Sequence, residues 1–334
     1  MSKNLSPSRR SPVPGIYVAA TTAVVSGVSI FVNSYGVKDA PSPLVYTTAK
    51  NLVAAALLIA AWYGGARARR QRERAGAGAG VRGPRAVTSP RSMATATSVR
   101  RWLALAYVGV VGGGLAFVLF FDGLARSDPA AAAFWRDTLV LEVALFAVLI
   151  LKERIRWWNL LALALLVGGE VAATGGVGHL AARPGEIDVM ASSALWAIEV
   201  IVARWLLRDT SPSMVASTRM GVGTLTLLVV VGASGHWNQL TTLDARQLTW
   251  IAATGALLAL YVATWMTALA RTRALDVTSV LVGAALITWA LQEVAGGARA
   301  PSRVGLTLIA TGTLLTLAAN SAMDRRRRRV ADPS

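Results

Sequence analysis

The sequence has 334 residues, of which 54% are hydrophobic and only 15% are charged, and its formal net charge is +17. This excess of apolar over charged residues excludes an ordinary soluble globular protein and indicates a chain embedded in lipid. The lack of Cys excludes disulfides, thiolate metal sites and a Cys nucleophile, and the only two His residues, both in polar connecting segments, do not predict a metal centre. We therefore expect neither a metal nor a cofactor.

Ten apolar stretches are long enough to cross about 30 Å of hydrocarbon as helices. They are continuously apolar and lack the alternation of strands in a membrane barrel, so an all-α integral membrane protein is predicted. In chain order the predicted spans are 15–35, 43–64, 102–122, 129–150, 157–175, 188–207, 212–233, 249–270, 275–292 and 303–321.

Polar segments flank and connect these spans. Residues 1–14 and 322–334 are expected to be polar tails, the second of which carries five consecutive arginines. Residues 65–101 are rich in Gly, Ala and Arg and cannot build a core, so they are predicted to be a disordered basic linker. Arginines in this linker could also bind anionic lipid.

The distribution of positive charge predicts the orientation of the chain. With the amino terminus inside, 24 of the 34 Lys and Arg residues lie on the inner side, six lie on the outer side, and four lie within spans. Because Lys and Arg are retained on the cytoplasmic side, both termini are predicted to be cytoplasmic. The charge is thus interpreted as a topology signal, and nucleic acid is not an expected partner.

Short patterns recur in the two halves of the chain. Ser-Pro begins the second span at Pro43 and the seventh at Pro212, and a cation follows seven residues later in each, at Lys50 and Arg219. Leu-Ala-Arg ends at Arg126 after the third span and at Arg271 after the eighth.

These matches predict two repeats of five helices, residues 15–175 and 188–321. Five is an odd number, so the second repeat enters the membrane from the opposite face. Inverted repeats of this kind usually enclose a central site that opens to either side in turn.

Four motifs of the first half follow one another in a recognisable order. They are Gly109-Val110-Val111-Gly112-Gly113-Gly114, Leu124-Ala125-Arg126-Ser127-Asp128-Pro129-Ala130, Leu151-Lys152-Glu153-Arg154 and Gly168-Gly169. Their order resembles the ten-helix EamA-like members of the drug/metabolite transporter superfamily, and Leu195-Trp196-Ala197 with Arg219 resembles the second repeat of that family. The resemblance covers residues 15–321. It implies secondary transport, commonly export, of a small polar metabolite or drug-like compound, without enzymatic activity, by a multi-pass protein of the bacterial plasma membrane.

Ionisable side chains at bilayer depth are costly and usually face a cavity or one another, so they are the candidate functional residues. Counting 1.5 Å per residue from the helix ends sorts them into two levels. The outer level holds Lys50, Arg136 and Asp137, with Glu170 slightly shallower, and the inner level holds Glu142, Glu199 and Arg219.

These groups suggest specific pairs. We expect Lys50 to pair with Asp137, and Arg219 to pair with Glu199 or Glu142. Arg136 and Asp137 are about 100° apart around a helix, so they are not expected to point at the same spot. All of these pairs could simply lock helices together.

Because four acids stand against three bases, one carboxylate is expected to lack a fixed partner and to bind a proton or a cationic substrate group. Glu199 is the first candidate because it lies nearest the midplane, and Glu142 is the second.

Other polar and aromatic residues give weaker signals. Trp196 and Trp135 lie deeper than the interfacial tryptophans and either line the cavity or pack against helices. Glu153, between two cations at the inner edge, is expected to be structural. Further candidate lining groups are Asn33, Thr47, Thr48, Asn51 and Ser192.

Three functions remain open at this stage. An alternating-access carrier, driven by a gradient or by exchange because no phosphate-binding loop is present, is favoured by the repeat and the central charges. An integral membrane enzyme acting on a lipid-soluble substrate lacks a recognisable catalytic cluster. A non-transporting scaffold or receptor would show paired charges without a continuous central cavity. The expected partners are a small-molecule substrate, protons and membrane lipid, and a homodimer is left open.

Overall fold

The computed structural model describes residues 14–78, 97–126, 135–173, 184–295 and 302–331, and the regular elements of these ranges are helices. Helices form here because only a helix satisfies the backbone polar groups of a lipid-embedded segment within the segment itself. In the first half they are α1 (Gly15–Asp39), α2 (Pro43–Gly78), α3 (Thr97–Tyr107), a π-helical segment (Val108–Leu115), α4 (Ala116–Ala125), α5 (Leu139–Leu149) and α6 (Trp157–Ala173).

The second half continues the same pattern. Its helices are α7 (Pro184–Leu206), α8 (Pro212–Ala233), α9 (Trp237–Thr241), α10 (Ala245–Arg271), α11 (Ala274–Val282), α12 (Ala284–Val294) and α13 (Arg303–Ala331). Capping signals in the sequence fix two of the starts. Ser211 accepts from the Met214 N–H ahead of α8, and Asp244 and Gln247 form a reciprocal capping box at the start of α10.

Eight of the ten predicted spans have counterparts that are long and apolar enough to cross a membrane: Gly15–Asp39, Pro43–Ala68, Val99–Gly123, Pro184–Leu206, Pro212–Ala233, Ala245–Arg271, Ala274–Val294 and Arg303–Met323. The predicted span 157–175 corresponds to α6, which is apolar but shorter, with 17 residues. In the predicted span 129–150, residues 135–137 and α5 are helical, while 129–134 lie outside the described residues.

The prediction of a disordered linker over 65–101 is wrong at both of its ends. Helix α2 continues through 65–78, and α3 already begins at Thr97. Residues 65–78 are rich in Arg and Ala, which have high helix propensity, so the helix extends beyond the apolar span. Residues 79–96 lie outside the described residues. The basic tail likewise belongs to α13, which ends at Ala331.

Helices of the first half pack mainly on helices of the second half. Helix α1 packs on α10, α2 and the π-helical segment pack on α8, α4 and α5 pack on α7, α5 also packs on α11, and α6 packs on α13. The π-helical segment approaches α8 backbone to backbone at Gly113 and Gly223, where a Cβ on either residue would overlap the other helix. The interleaving buries charged side chains of α7 and α8 between the two halves.

Candidate substrate and coupling site

A buried ion pair joins α7 to α8. The Arg219 guanidinium donates to both carboxylate oxygens of Glu199, from Nε to Oε1 at 2.5 Å and from Nη2 to Oε2 at 3.1 Å. Arg219 is 8% exposed and Glu199 is 4% exposed. This two-pronged geometry neutralises both charges at a depth where neither could reach water. It confirms one of the two expected partners of Arg219.

Glu199 is therefore not the carboxylate without a fixed partner that the charge count predicted. Counting residues from helix ends could not show that both of its oxygens face one guanidinium.

The π-helical segment shapes the surroundings of this pair. The Gly112 carbonyl accepts from Arg219 Nη2 at 3.2 Å and from the indole N–H of Trp196 at 3.0 Å. A Cβ on Gly112 would overlap the Glu199 carboxyl group, so glycine provides the space that the acid occupies. Helical segments of this wide type often occur at functional sites. Gly112 belongs to the glycine-rich motif of residues 109–114. Its role beside Glu199 was not predicted from the sequence.

Aromatic rings of α4 enclose the same pair on one side. The Trp196 ring lies 5.2 Å from the Phe117 ring and 5.5 Å from the Phe120 ring, centre to centre. The Arg219 guanidinium carbon lies 5.8 Å from the centre of the Phe117 ring. These rings keep the local dielectric low, which strengthens the ion pair.

A second ion pair lies at the start of α5. Arg136 Nη1 lies 3.2 Å from Asp137 Oδ1. The prediction that these neighbours point at different spots is wrong, because the helix is interrupted immediately after them at Thr138 and the long arginine side chain can turn back. The expected pairing of Asp137 with Lys50 is also wrong, since Lys50 bonds to Asn33 instead.

A cavity of about 60 Å³ lies beside this second pair. Arg136, Asp137, Leu139 and Val140 line it on one side, and Ser26 and Ile30 of α1 line it on another. The remaining walls come from the region where α11 meets α12, through Thr278, Leu281, Val282, Ala284 and Ala285. The cavity therefore joins charged groups to helices of both halves.

Two matched helix interruptions border this cavity. Thr138 has φ −60° and ψ −13°, and Gly283 has φ −59° and ψ −13°, so both depart from α-helical ψ in the same way. Three residues later, the N–H of Leu141 and that of Leu286 donate back to the Thr138 and Gly283 carbonyls at 2.8 and 3.2 Å. Thr138 lies twelve residues after Arg126, and Gly283 lies twelve residues after Arg271. Interrupted helices at corresponding places of two halves point to a binding site.

Two further acids lie on α5 and α6. Glu142 Oε1 is 3.4 Å from the Thr138 hydroxyl, and its buried Oε2 has no hydrogen-bond partner among the described residues. Glu170 interacts electrostatically with Asp137 and Arg136. Glu142 is thus the carboxylate that most nearly fulfils the expectation of an acid without a fixed partner.

Tyr261 of α10 lies near both charged pairs. Arg136 of the outer pair and Arg219 and Glu199 of the inner pair are within electrostatic range of its hydroxyl. Its ring stacks on Trp265, with the ring centres 6.1 Å apart. A neutral tyrosine in an apolar run gives no sequence signal of its neighbours, so Tyr261 was not among the predicted site residues.

Lys50 lies in a third cluster, formed by α1, α2 and α10, whose other groups are neutral. Its Nζ donates to Asn33 Oδ1 at 2.9 Å and lies 5.3 Å from the centre of the Tyr46 ring. The Tyr46 hydroxyl lies 3.1 Å from Asn33 Oδ1 and 2.9 Å from the Thr254 hydroxyl. Asn33 was one of several candidate lining groups, and the structure makes it the direct partner of the lysine.

A polar network that was not predicted from the sequence lies at the predicted inner end. Arg273 donates to both carboxylate oxygens of Asp276, at 2.7 and 2.9 Å, to Asn159 Oδ1 at 3.1 Å and to the Arg154 carbonyl at 3.0 Å. Asp276 is fully buried and also accepts from Asn159 Nδ2 at 3.0 Å. The network ties the start of α11 to the start of α6.

Glu153 borders this network. Its Oε1 accepts from the Ala274 N–H at 3.4 Å, at the first residue of α11, where a carboxylate interacts favourably with the helix dipole. Burial raises the pKa of the Glu153 carboxyl above its ordinary value, while the Ala274 N–H and the Arg273 charge oppose that rise. This geometry agrees with the structural role expected for Glu153.

Comparison with known proteins identifies the first half of the chain. Residues 13–174 match the sequence profile of the EamA-like transporter family. These residues belong to the EamA-like transporter family. With its apolar helices, the chain is a multi-pass membrane protein of the drug/metabolite transporter type. For residues 13–174, the resemblance inferred from the glycine-rich and Leu-Ala-Arg motifs is thereby confirmed.

Solved structures with a similar fold extend the likeness beyond the EamA-like segment. One crystal structure matches with a TM-score of 0.66 and 17% sequence identity, over 93% of this chain and 98% of the other. At this identity the likeness establishes a common fold and no more. No curated protein matches the sequence.

Proposed function

We propose that this protein is a secondary transporter that exports a small polar metabolite or drug-like compound across a bacterial plasma membrane by alternating access. The observation that carries the proposal is the cavity between the two interrupted helices, bordered by Arg136 and Asp137. Charged side chains beside a hollow between lipid-embedded helices are costly and are typical of a transport pathway. Such a cavity is what distinguishes a carrier from a scaffold whose charges only lock helices together.

The proposal includes ten spans in two inverted repeats, 15–175 and 188–321, with both termini in the cytoplasm. The helix contacts support this symmetry. If each helix is replaced by the corresponding helix of the other half, each of the following contacts becomes another observed contact or itself. The α1–α10 contact corresponds to α7–α4, and the contact of the π-helical segment with α8 corresponds to α10–α2. The α2–α8, α5–α11 and α6–α13 contacts each correspond to themselves. A two-fold axis in the membrane plane produces such a pattern.

Glu142 is the group to which we assign coupling. The Glu199–Arg219 pair is already neutral, and Arg136 pairs with Asp137, so Glu142 is a carboxylate that no guanidinium of the described residues offsets. A carboxyl group in this situation can bind a proton on one side of the membrane and release it on the other. Substrate binding is assigned to the cavity residues Arg136 and Asp137, with Trp196 forming an aromatic wall next to the inner pair.

The experiment is a metabolite screen in vesicles that contain the purified protein, comparing an imposed pH gradient with counterflow. We expect one or more compounds to be transported in both modes. Glu142→Gln should abolish uptake driven by the pH gradient while counterflow remains, and Glu293→Gln, which changes an exposed acid at the end of α12, should leave both unchanged. Failure of both modes for every compound would contradict transport, and gradient-driven uptake by the Glu142→Gln protein would contradict the coupling role.

A further inference from the structure

The charge of Lys50 has no counter-charge among the described residues. Its one hydrogen bond goes to the neutral amide oxygen of Asn33, and no carboxylate of the described ranges lies within 4 Å of Nζ. The other groups of the cluster, Tyr46 and Thr254, are also neutral. A lysine ammonium has three N–H donors, so two of them remain available for another group.

The ammonium also lies too deep to be neutralised at the lipid headgroups. Lys50 is the eighth residue of α2, and its partner Asn33 lies six residues before the end of α1. At 1.5 Å per residue, Asn33 is about 9 Å from that helix end. To reach the nearer headgroups, a lysine at this position would extend along α2 toward the first residue of the helix. The Lys50 side chain instead crosses to α1, where it is bound.

Lys50 lies at the outward continuation of the cavity described above. Ser26 and Ile30 of α1 line that cavity, and Asn33 follows them by seven and three residues. Residues at these spacings share one face of a helix. The face of α1 that borders the cavity therefore leads, one helical turn further out, to the amide that holds the ammonium.

We propose that Lys50 binds the anionic oxygen group, a carboxylate or a phosphate, of the transported compound. This inference rests on the proposed transport function and adds to it the substrate class. An oxyanion accepts the two remaining N–H donors of Lys50 and neutralises its charge, as Glu199 does for Arg219 in the other half. With the oxyanion at Lys50, the rest of a small molecule extends along α1 to Ile30, Ser26 and the cavity.

The test measures thermal unfolding of the purified full-length protein through its tryptophan fluorescence. The probes are benzoate and phenyl phosphate, with benzamide as a neutral molecule of similar shape, all at constant ionic strength. We expect one or both oxyanions, but not benzamide, to raise the unfolding temperature of the wild-type protein, and their identity distinguishes carboxylate from phosphate. Lys50→Gln should weaken the response about tenfold to a hundredfold in apparent affinity, because a charged hydrogen bond is lost.

Two further variants separate the site from general charge effects. Lys50→Arg retains a cation and should retain binding, and Lys38→Gln removes one exposed positive charge from the last turn of α1 and should leave the response unchanged. An equal oxyanion response in the wild-type and Lys50→Gln proteins would overturn the proposal. So would a wild-type protein that responds to neither oxyanion.

Counterflow with any compound found in the metabolite screen provides a second, independent measurement. Transported compounds should carry an oxyanion, and their transport should fall about tenfold or more in the Lys50→Gln protein. Oxyanion binding without transport of any compound would contradict the proposed function while leaving the site intact. Transport of neutral or purely cationic compounds that is insensitive to Lys50→Gln would contradict the substrate class while leaving the transport function intact.

Discussion

Lys50 and Arg219 occupy matching places in the sequence but opposite electrostatic surroundings. Each is a cation seven residues after the proline that begins its helix. Arg219 meets a carboxylate on the preceding helix, Glu199, which takes up two of its hydrogen bonds. Lys50 also meets a side chain of the preceding helix, but that side chain is the neutral Asn33. One half therefore contains its own counter-charge, and the other does not.

The difference separates a structural cation from one that is available to a ligand. A buried pair with good geometry holds two helices together, and breaking it leaves a charge without compensation. Lys50 is a half-buried cation beside neutral groups, so it gains a counter-charge when an anionic ligand binds. Substitutions at the two cations and at their partners test this contrast.

Glu199→Gln should destabilise the protein strongly. It leaves the Arg219 charge buried and uncompensated, which typically costs about 3–5 kcal/mol. Lys50→Gln should change stability by less than about 1 kcal/mol, because no described carboxylate depends on Lys50. Unfolding in mixed detergent micelles measures both.

Two comparisons make that result specific. Asp209→Asn breaks an ion pair with Arg101 that is largely exposed, and it should cost less than about 1 kcal/mol. Changing Arg219 to Gln together with Glu199 should recover part of the lost stability. Equal losses for Glu199→Gln and Lys50→Gln would remove the contrast between the halves.

Gly112→Ala should disturb only the inner pair. Its Cβ would overlap the Glu199 carboxyl group, and overpacking of this kind typically costs about 1–3 kcal/mol. Gly64→Ala is the matched control, because a Cβ there meets nothing within 4 Å, and it should stabilise α2 by about 0.5–1 kcal/mol. The same unfolding measurement applies, and similar results for the two variants would show that Gly112 is not shaped around Glu199.

Asn33→Asp should make the first half resemble the second. The substitution replaces the amide of α1 that bonds to Lys50 with a carboxylate. It should raise the free energy of unfolding by on the order of 1 kcal/mol. The same change should abolish the stabilisation by benzoate or phenyl phosphate, because Lys50 is then already neutralised. Undiminished oxyanion binding by the Asn33→Asp protein would contradict the role given to the lysine.

Glu153→Gln tests an acid outside both clusters and should have the smallest effect. Burial raises the folded-state pKa of Glu153 above the unfolded value, so its proton stabilises the fold at low pH. That contribution is complete below the unfolded pKa, about 4.3, and is lost as pH rises through the higher folded pKa. The Gln variant should show a weaker decline in stability across this window. An identical pH profile for the two proteins would contradict the shift.

Much of the fold could be predicted because the length of an apolar stretch can be read directly along the sequence. Eight spans match stretches read directly from hydropathy, and the family follows from motifs in the first half. The structure of the linker was harder to predict. The polar composition of residues 65–78 excludes a buried core there, but it does not exclude a helix.

The charged site could be predicted only along the membrane normal. The predicted depths put Glu199 at the level of Arg219 and Asp137 at the level of Lys50. Glu199 and Arg219 form an ion pair, whereas Lys50 bonds to Asn33. Residue counting gives neither the rotation of each helix about its axis nor the identity of its neighbours. The bond between Asn33 and Lys50 and the position of Tyr261 therefore could not be predicted. The matched interruptions at Thr138 and Gly283 were accessible in principle, since the spacing from Arg126 and Arg271 is the same.

Side-specific labelling of the cavity tests the proposed transport mechanism most directly. The chain has no native Cys, so Ala285→Cys, in the cavity wall beside Gly283, introduces one thiol. Val229→Cys, on the exposed outer surface of α8, is the lipid-facing control, because a thiol needs water to ionise and react. We predict that a membrane-impermeant maleimide reacts with the Ala285→Cys protein when added from either side, and with the Val229→Cys protein from neither. Reaction at Ala285→Cys from one side alone, or from neither side, would contradict alternating access.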